Sequence, residues 1–525
     1  MAYLFFSISN SVSQRKWTKV YEETLALADK LNLADWDKFY YKGVRSYAYC
    51  KVKERTEKEF GKEKHYWLAC SDYKYMNEGE YFRLEKEIDN YDKNAAPAIL
   101  GQLYSYPDKK YKEIEKQIRT REVRIFGGTY YIRLLAILCF MESRLKEKIF
   151  IYGDFDKHDC ETAVNIINKN HTEQIELPAR CDFNRLYNIV RKIEISDEEK
   201  IYLLEKTYMG GIDLQYKSLI EEKFSKETIN KFWKNRFKNY EIGNYNFNKV
   251  LEAYLSYGFD FKDLFSYITL KNTKEEYLKF LESIIEIENN KCRYSRYFGI
   301  TRDPKDNGIR GISLEFRRSL FGPEAVKLLE PVTATSTAFK LYTFDDYVNE
   351  LSKYFGNQID VRNLLKEKIK DKDEDLFLSE LQEYCKKDRY YLFEGEEKYD
   401  IIFASDLIYY KTGDKISPDL LKVIKDAIKS NKKRLADKEF KEISQKETTE
   451  QIYELIDIYH HFPVRDIDWH HAIDYFNTHS DALERYYPLF HMSFELFSKT
   501  EYIARALFIN DEFYDFCKGL LPIHE

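Results

Sequence analysis

The chain has 525 residues, 84 of them basic and 90 acidic, for a formal net charge of −6, and 44% of it is hydrophobic. That length carries apolar material for more than one core, and the near balance of charge removes any overall field that would draw in nucleic acid or an acidic surface. A membrane-spanning helix is not expected either, because the longest uninterrupted apolar run, Leu134 to Met141, falls far short of the roughly twenty residues a span needs.

Taken in chain order, Tyr3 to Ile8 reads as a strand. It has no Lys or Arg before it and no small-residue cleavage site after it, so it does not read as a signal peptide, and a cytoplasmic location is the expectation. The apolar spacing predicts a helix over Gln14 to Lys30, a strand over Tyr47 to Val52, and a helix near Tyr130 to Leu145 that is apolar almost all round. A strand at Lys148 to Tyr152 and a helix from about Asp159 to Asn168 follow. This succession predicts a layered α/β domain over residues 1–172.

From Pro178 the pattern turns helical. Ser196 to Glu199 and Thr273 to Glu276 have the spacing of capping boxes ahead of apolar-periodic runs, and Gly210 and Gly258 stand where helices end. A helical domain over 173–300 is predicted. Between Lys291 and Pro331 the periodicity fades into an irregular connection. Beyond it Thr343 to Asp346 opens a helix, Ile401 to Phe403 reads as a short strand, and Ser417-Pro418 caps a helix reaching about Leu435. The expectation for 301–525 is a mainly helical domain with a minor β element. The fold class is therefore α+β, mainly α, with an N-terminal α/β layered domain followed by a larger, mostly helical body.

Three groupings bear on chemistry. The first is a crowd of imidazoles: six of the ten histidines lie between His460 and His491. Thr448 to His461 predicts one helix, closed by Pro463, and Asp468 is the predicted cap of the next, with Trp469, Ile473 and Phe476 on its inward stripe. His470 and His471 are one turn from Asp474, which makes these three the candidate metal ligands. His460, His461, His479 or His491 would have to supply more. Otherwise the imidazoles sit on wet helix faces or pair singly with Asp466, Asp474 or Asp481.

The second grouping is Asp154, Asp156 and His158, just after the strand ending at Tyr152. Acidic residues at the C-terminal end of a strand are where α/β enzymes place phosphoryl-transfer nucleophiles and magnesium ligands. The D-x-D spacing resembles the nucleophile motif of haloacid dehalogenase-like phosphatases, and the resemblance implies Asp154 as nucleophile and Asp156 as acid/base. His158 stands where that family has Thr or Val, and no downstream Lys and acidic pair completes its set. A turn that caps the next helix through Asp156 or Asp159 accounts for the same residues.

The third is the run Lys291 to Arg318, with eight basic residues against three acidic ones. Its Arg293, Arg296, Arg302, Arg310, Arg317 and Arg318 alternate with Tyr294, Tyr297, Phe298 and Phe316, a mixture suited to phosphates and stacked bases. Arg121 and Arg124, ahead of Gly127-Gly128, form a smaller companion. Neither contains a known nucleic-acid signature, and ion pairing with the many acids is the simpler use.

The eight cysteines show no C-x-x-C, and no G-x-S-x-G occurs. With catalytic signatures missing, and 45 Tyr and 36 Phe available for interfaces, the expected function is a cytosolic, non-catalytic binding protein. It would act on a protein partner through aromatic-rich helical surfaces, with no cofactor and no membrane. The alternatives are a hydrolase of phosphoesters or nucleic acid that uses a divalent metal, and a nucleic-acid-binding protein using Lys291 to Arg318.

Overall fold

The computed structural model describes residues 2–59, 61–76, 78–91, 118–125, 129–153, 155–170, 172–210, 214–259, 261–271, 273–291, 344–368, 401–458, 463–492 and 498–520. The chain is mainly α with an α/β N-terminus, as its periodicities indicate.

The N-terminal strands form two antiparallel sheets. In the first, β1 (Ala2–Ser9) lies between two later strands and pairs with both, so that Phe6 faces Arg121 on one side and Ile151 on the other. The second sheet contains β2 (Leu33–Tyr41), β3 (Val44–Lys51), β4 (Glu54–Glu59), β5 (Lys62–Asp72) and β6 (Glu78–Glu85). Its order is β3-β2-β5-β4, with β6 also on β5. Between β2 and β3 the chain reverses through Lys42 and Gly43, both at positive φ (46° and 92°), the two-residue turn that matches strand twist. The partners of β1 are β7 (Ile118–Ile125) and β8 (Ile149–Gly153).

Helix α1 (Gln14–Lys30) follows β1 with the bounds its periodicity predicts, and α2 (Thr129–Arg144) precedes β8. Every residue of α2 from Tyr130 to Met141 is buried, and it packs on α1, on both sheets and on α3 (Lys157–Asn170). A helix buried all round must satisfy its polar side chains internally. Tyr130 donates to the carbonyls of Ala69 (2.8 Å) and Glu80 (3.1 Å), where the β5–β6 register slips. Arg133 donates to Leu31 O at 2.6 Å, at the end of α1, and Glu142 accepts from Ile151 N (3.1 Å) and Ala179 N (2.6 Å).

A second core belongs to helices α4 (Phe183–Val190), α5 (Asp197–Thr207), α6 (Leu214–Lys223), α7 (Lys226–Lys238), α8 (Tyr245–Ser256), α9 (Phe261–Tyr267) and α10 (Lys274–Lys291). The box predicted at Ser196 forms in full, with Ser196 N donating to Glu199 (2.7 Å) and Glu199 N to Ser196 Oγ (3.3 Å). At Thr273 only half forms. Glu276 N reaches Thr273 Oγ1 (3.3 Å), while the Glu276 carboxylate accepts from Lys271 N instead. Gly258 follows α8 at φ +73°, the left-handed position that ends a helix without strain in glycine. Trp233 anchors this core, ringed by Phe232, Tyr254 and Phe259 at 5.0–5.2 Å. Helices α11 (Phe344–Phe355) and α12 (Val361–Lys368) pack into the same cluster.

The third core joins distant parts of the chain. It combines β9 (Ile401–Ile402), which pairs in parallel with β10 (Lys415–Ile416), and helices α13 (Pro418–Arg434), α14 (Lys438–Ser444), α15 (Thr448–Ile458), α16 (Asp466–Thr478), α17 (Ala482–Phe490), α18 (Lys499–Ile509) and α19 (Asp511–Leu520). Against them lie Ala34, Phe39, Ala48, Tyr49 and Cys70 of the second sheet. Tyr49 N donates to Val464 O (2.9 Å), extending the β3 edge, and the buried Arg505 donates to Met76 O (3.1 Å). The second sheet is thus covered by N-terminal helices and by helices from the far end of the chain. Among the described residues no helix is long and apolar enough to cross a membrane.

Candidate functional site

Helix α16 carries the centre of the histidine group. Its cap differs from the expected Asp468: the helix begins at Asp466, Arg465 occupies the capping position, and Asp468 lies three residues in. There its carboxylate accepts from Arg465 N (2.9 Å), Nε (2.8 Å) and Nη2 (2.7 Å), a fork-on-carboxylate bond that buries Asp468. Trp469, Ile473 and Phe476 face inward, as their spacing predicts.

The imidazoles go separate ways. His470 is exposed with its ring edge on Phe39 of β2 (5.1 Å). His471 Nε2 meets Asp511 Oδ1 of α19 at 3.0 Å, and Asp474 is exposed. His479 stacks on Tyr475 with centroids 3.8 Å apart, and His491 lies on Tyr487 and 3.5 Å from Glu439. Burial lowers the His491 pKa, against the pull of Glu439. His460 and His461 lie outside the described residues. Among the described residues no group of three His, Cys, Asp or Glu side chains is placed to hold a metal ion.

What organises this end is Arg485, an arginine with no motif around it. Its guanidinium is fully buried, donates to the carbonyls of Leu507 (2.9 Å) and Phe508 (3.2 Å) and to Asp511 (2.6 Å), and lies 4.5–5.0 Å from the rings of Tyr475, Tyr486 and Tyr514. Burial pushes the Asp511 pKa up, but the bonds from Arg485 and His471 outweigh it and hold the carboxyl below its usual range.

At the end of β8, Asp156 and Asp159 bind each other's backbone. Asp159 N donates to Asp156 Oδ1 (2.9 Å) and Asp156 N to Asp159 Oδ2 (3.1 Å), a reciprocal cap on α3. Tyr131 OH adds a longer bond to Asp159 (3.4 Å). Asp159 is buried, and desolvation together with the neighbouring Asp156 raises its pKa to about 7. Asp154 and the side chain of His158 lie outside the described residues, as do Arg293, Arg296, Arg302, Arg310, Arg317 and Arg318.

One exposed surface escaped the sequence reading. On the β2–β3 hairpin, Trp36, Lys38 and Tyr40 alternate onto one face, and Tyr47 and Arg45 stand directly opposite Lys38 and Tyr40. Trp36 and Tyr47 stack (6.0 Å, 11°), and Arg45 lies 5.6 Å over Tyr47. Tyr40 is 60% exposed. The signal was available in the alternation W-x-K-x-Y ahead of Lys42-Gly43. Helical surfaces contribute as well: Tyr354 of α11 is 39% exposed and stacks on Phe265 (3.8 Å).

The chain matches no protein-family model, and comparisons with curated proteins and with solved structures return no match.

Proposed function

We propose that this chain is a non-catalytic cytosolic binding protein that acts on a protein partner, as an inhibitor or as one component of a larger system. The observation that supports this reading best is the hairpin surface, where a largely exposed Tyr40 adjoins Arg45 and the stacked pair Trp36 and Tyr47. Rigid aromatic rings beside a guanidinium are the side chains that dominate protein interfaces, because they bury large area at little conformational cost. The ring surface at Tyr354 and Phe265 on the helices has the same character.

The experiment is affinity capture from the protein's own cell extract, with the intact chain and with the Tyr40→Ala, Tyr47→Ala double variant as baits. A partner retained by the first and weakened by about thirtyfold or more in the second is expected for interface anchors worth about 2 kcal/mol. Recovery of free monomer alone, or equal retention by both baits, refutes it.

A further inference from the structure

From Lys38 to Lys53 the chain runs sixteen residues with five cations and no aspartate or glutamate, although 90 of its 525 residues are acidic. Most of this run is the β2–β3 hairpin. Around the second sheet, basic side chains find carboxylates: Lys51 meets Asp29 (3.0 Å), Lys53 meets Asp37 (2.8 Å) and Lys86 meets Glu54 (3.0 Å). Lys38, Lys42 and Arg45 have no such partner among the described residues, and all three are exposed. Asp35 and Asp37 alternate onto the opposite face, where Arg55 Nη2 lies 2.5 Å from the first and 3.3 Å from the second. Like charges left uncompensated beside an aromatic surface repel cations and favour an anionic partner.

The rings on this face decide the class of anion. Trp36 and Tyr47 are half-buried and stacked on each other, with Arg45 over Tyr47, which leaves Tyr40 as the one of the three that is largely open. A single-stranded nucleic acid is held by successive bases on successive open rings, and this face offers no such row. An extended peptide fits it better. Its side chains return to one face every second residue, about 6.8 Å along a strand, the same repeat that separates Lys38 from Tyr40.

Given the protein-binding function proposed above, on which this depends, we infer that the hairpin receives an acidic, extended segment of the protein partner. Its carboxylates meet Lys38, Lys42 and Arg45, and its apolar side chains lie against Tyr40.

The test is fluorescence anisotropy of the full chain with a labelled peptide of about ten residues in which glutamate alternates with valine, so that its carboxylates share one face. The same peptide with glutamine or lysine in place of glutamate, and a labelled oligothymidylate, are the comparators. Saturable binding of the glutamate peptide is expected, with the glutamine peptide weaker by about tenfold or more and the lysine peptide not bound. Lys38→Gln, Lys42→Gln and Arg45→Gln are at exposed positions and can be combined without loss of the fold. The triple variant is expected to bind about tenfold more weakly, each exposed ion pair contributing about two- to threefold. No saturable binding of the glutamate peptide, equal binding of the glutamine peptide, tighter binding of the oligothymidylate, or an unchanged triple variant overturns the inference. If affinity capture then still returns a partner that the Tyr40→Ala, Tyr47→Ala variant loses, the binding function stands and only its acidic partner segment is withdrawn. Free monomer alone from the extract instead refutes the function itself.

Discussion

Replacing Asp159 by Asn tests whether a buried carboxyl in this protein keeps its proton near neutrality. Asp159 is 2% exposed, and burial, reinforced by the Asp156 carboxylate, lifts its pKa from 3.8 to about 7. In the unfolded chain the group ionises near its ordinary value. Between about pH 4 and 7 the native state therefore holds a proton that the unfolded state has released, and stability falls as pH rises. Each pH unit in that window removes up to about 1.4 kcal/mol, so the full interval amounts to as much as about 4 kcal/mol. Asn lacks this titration. It keeps an acceptor for Asp156 N and Tyr131 OH, while its amide nitrogen adds a buried donor whose penalty, about 1–3 kcal/mol if unmet, is the same at every pH. The offset is uninformative; the slope is the measurement. Urea unfolding of both proteins from pH 4 to 7.5 is expected to show the variant gaining steadily on the parent as pH rises. A stability difference constant across that range means that the native carboxyl is already ionised, and the reasoning fails.

Other outcomes follow from the cores and their charges. Trp233→Ala removes the ring that Phe232, Tyr254 and Phe259 surround and is expected to destabilise the middle helices by about 3–5 kcal/mol, read from chemical unfolding. Glu501→Ala strands the buried Arg505, whose guanidinium lies 2.5 Å from that carboxylate. The expected loss is about 3–5 kcal/mol, with hydrogen-exchange protection falling first where α18 meets the turn between β5 and β6 at Met76. His491 has a lowered pKa, so its contribution is present above the ordinary histidine value and is lost as pH falls below about 6.5. His491→Gln is expected to flatten stability on that acid side, which thermal melts between pH 5 and 7 check.

Legibility in the sequence followed the range of the interactions involved. Helix α1 and the Ser196 box could be read because apolar spacing and a local cap determine them within one or two turns. Four strands of the second sheet and β7 escaped. Glu54–Glu59 is a run of charged and hydroxyl residues with no apolar alternation, and it is a strand because β5 supplies its hydrogen bonds. At Asp468 the same residue serves a different position, because the forked bond from Arg465 moves the helix start back by three residues.

The sequence by itself determined the mainly helical class, the buried helix Thr129–Arg144, the short strand at Ile401 and the helix starts at Ser196, Thr273 and Ser417, since each depends on periodicity or on a side chain bonding its own neighbouring backbone. Only the tertiary structure decided that helices beyond residue 400 cover the second sheet, that His471 and Arg485 meet at Asp511, and that four helices leave a pocket between them. Those pairings join residues tens to hundreds of positions apart. Local propensity carries no record of them, because the energy that selects them comes from burying surfaces against one another.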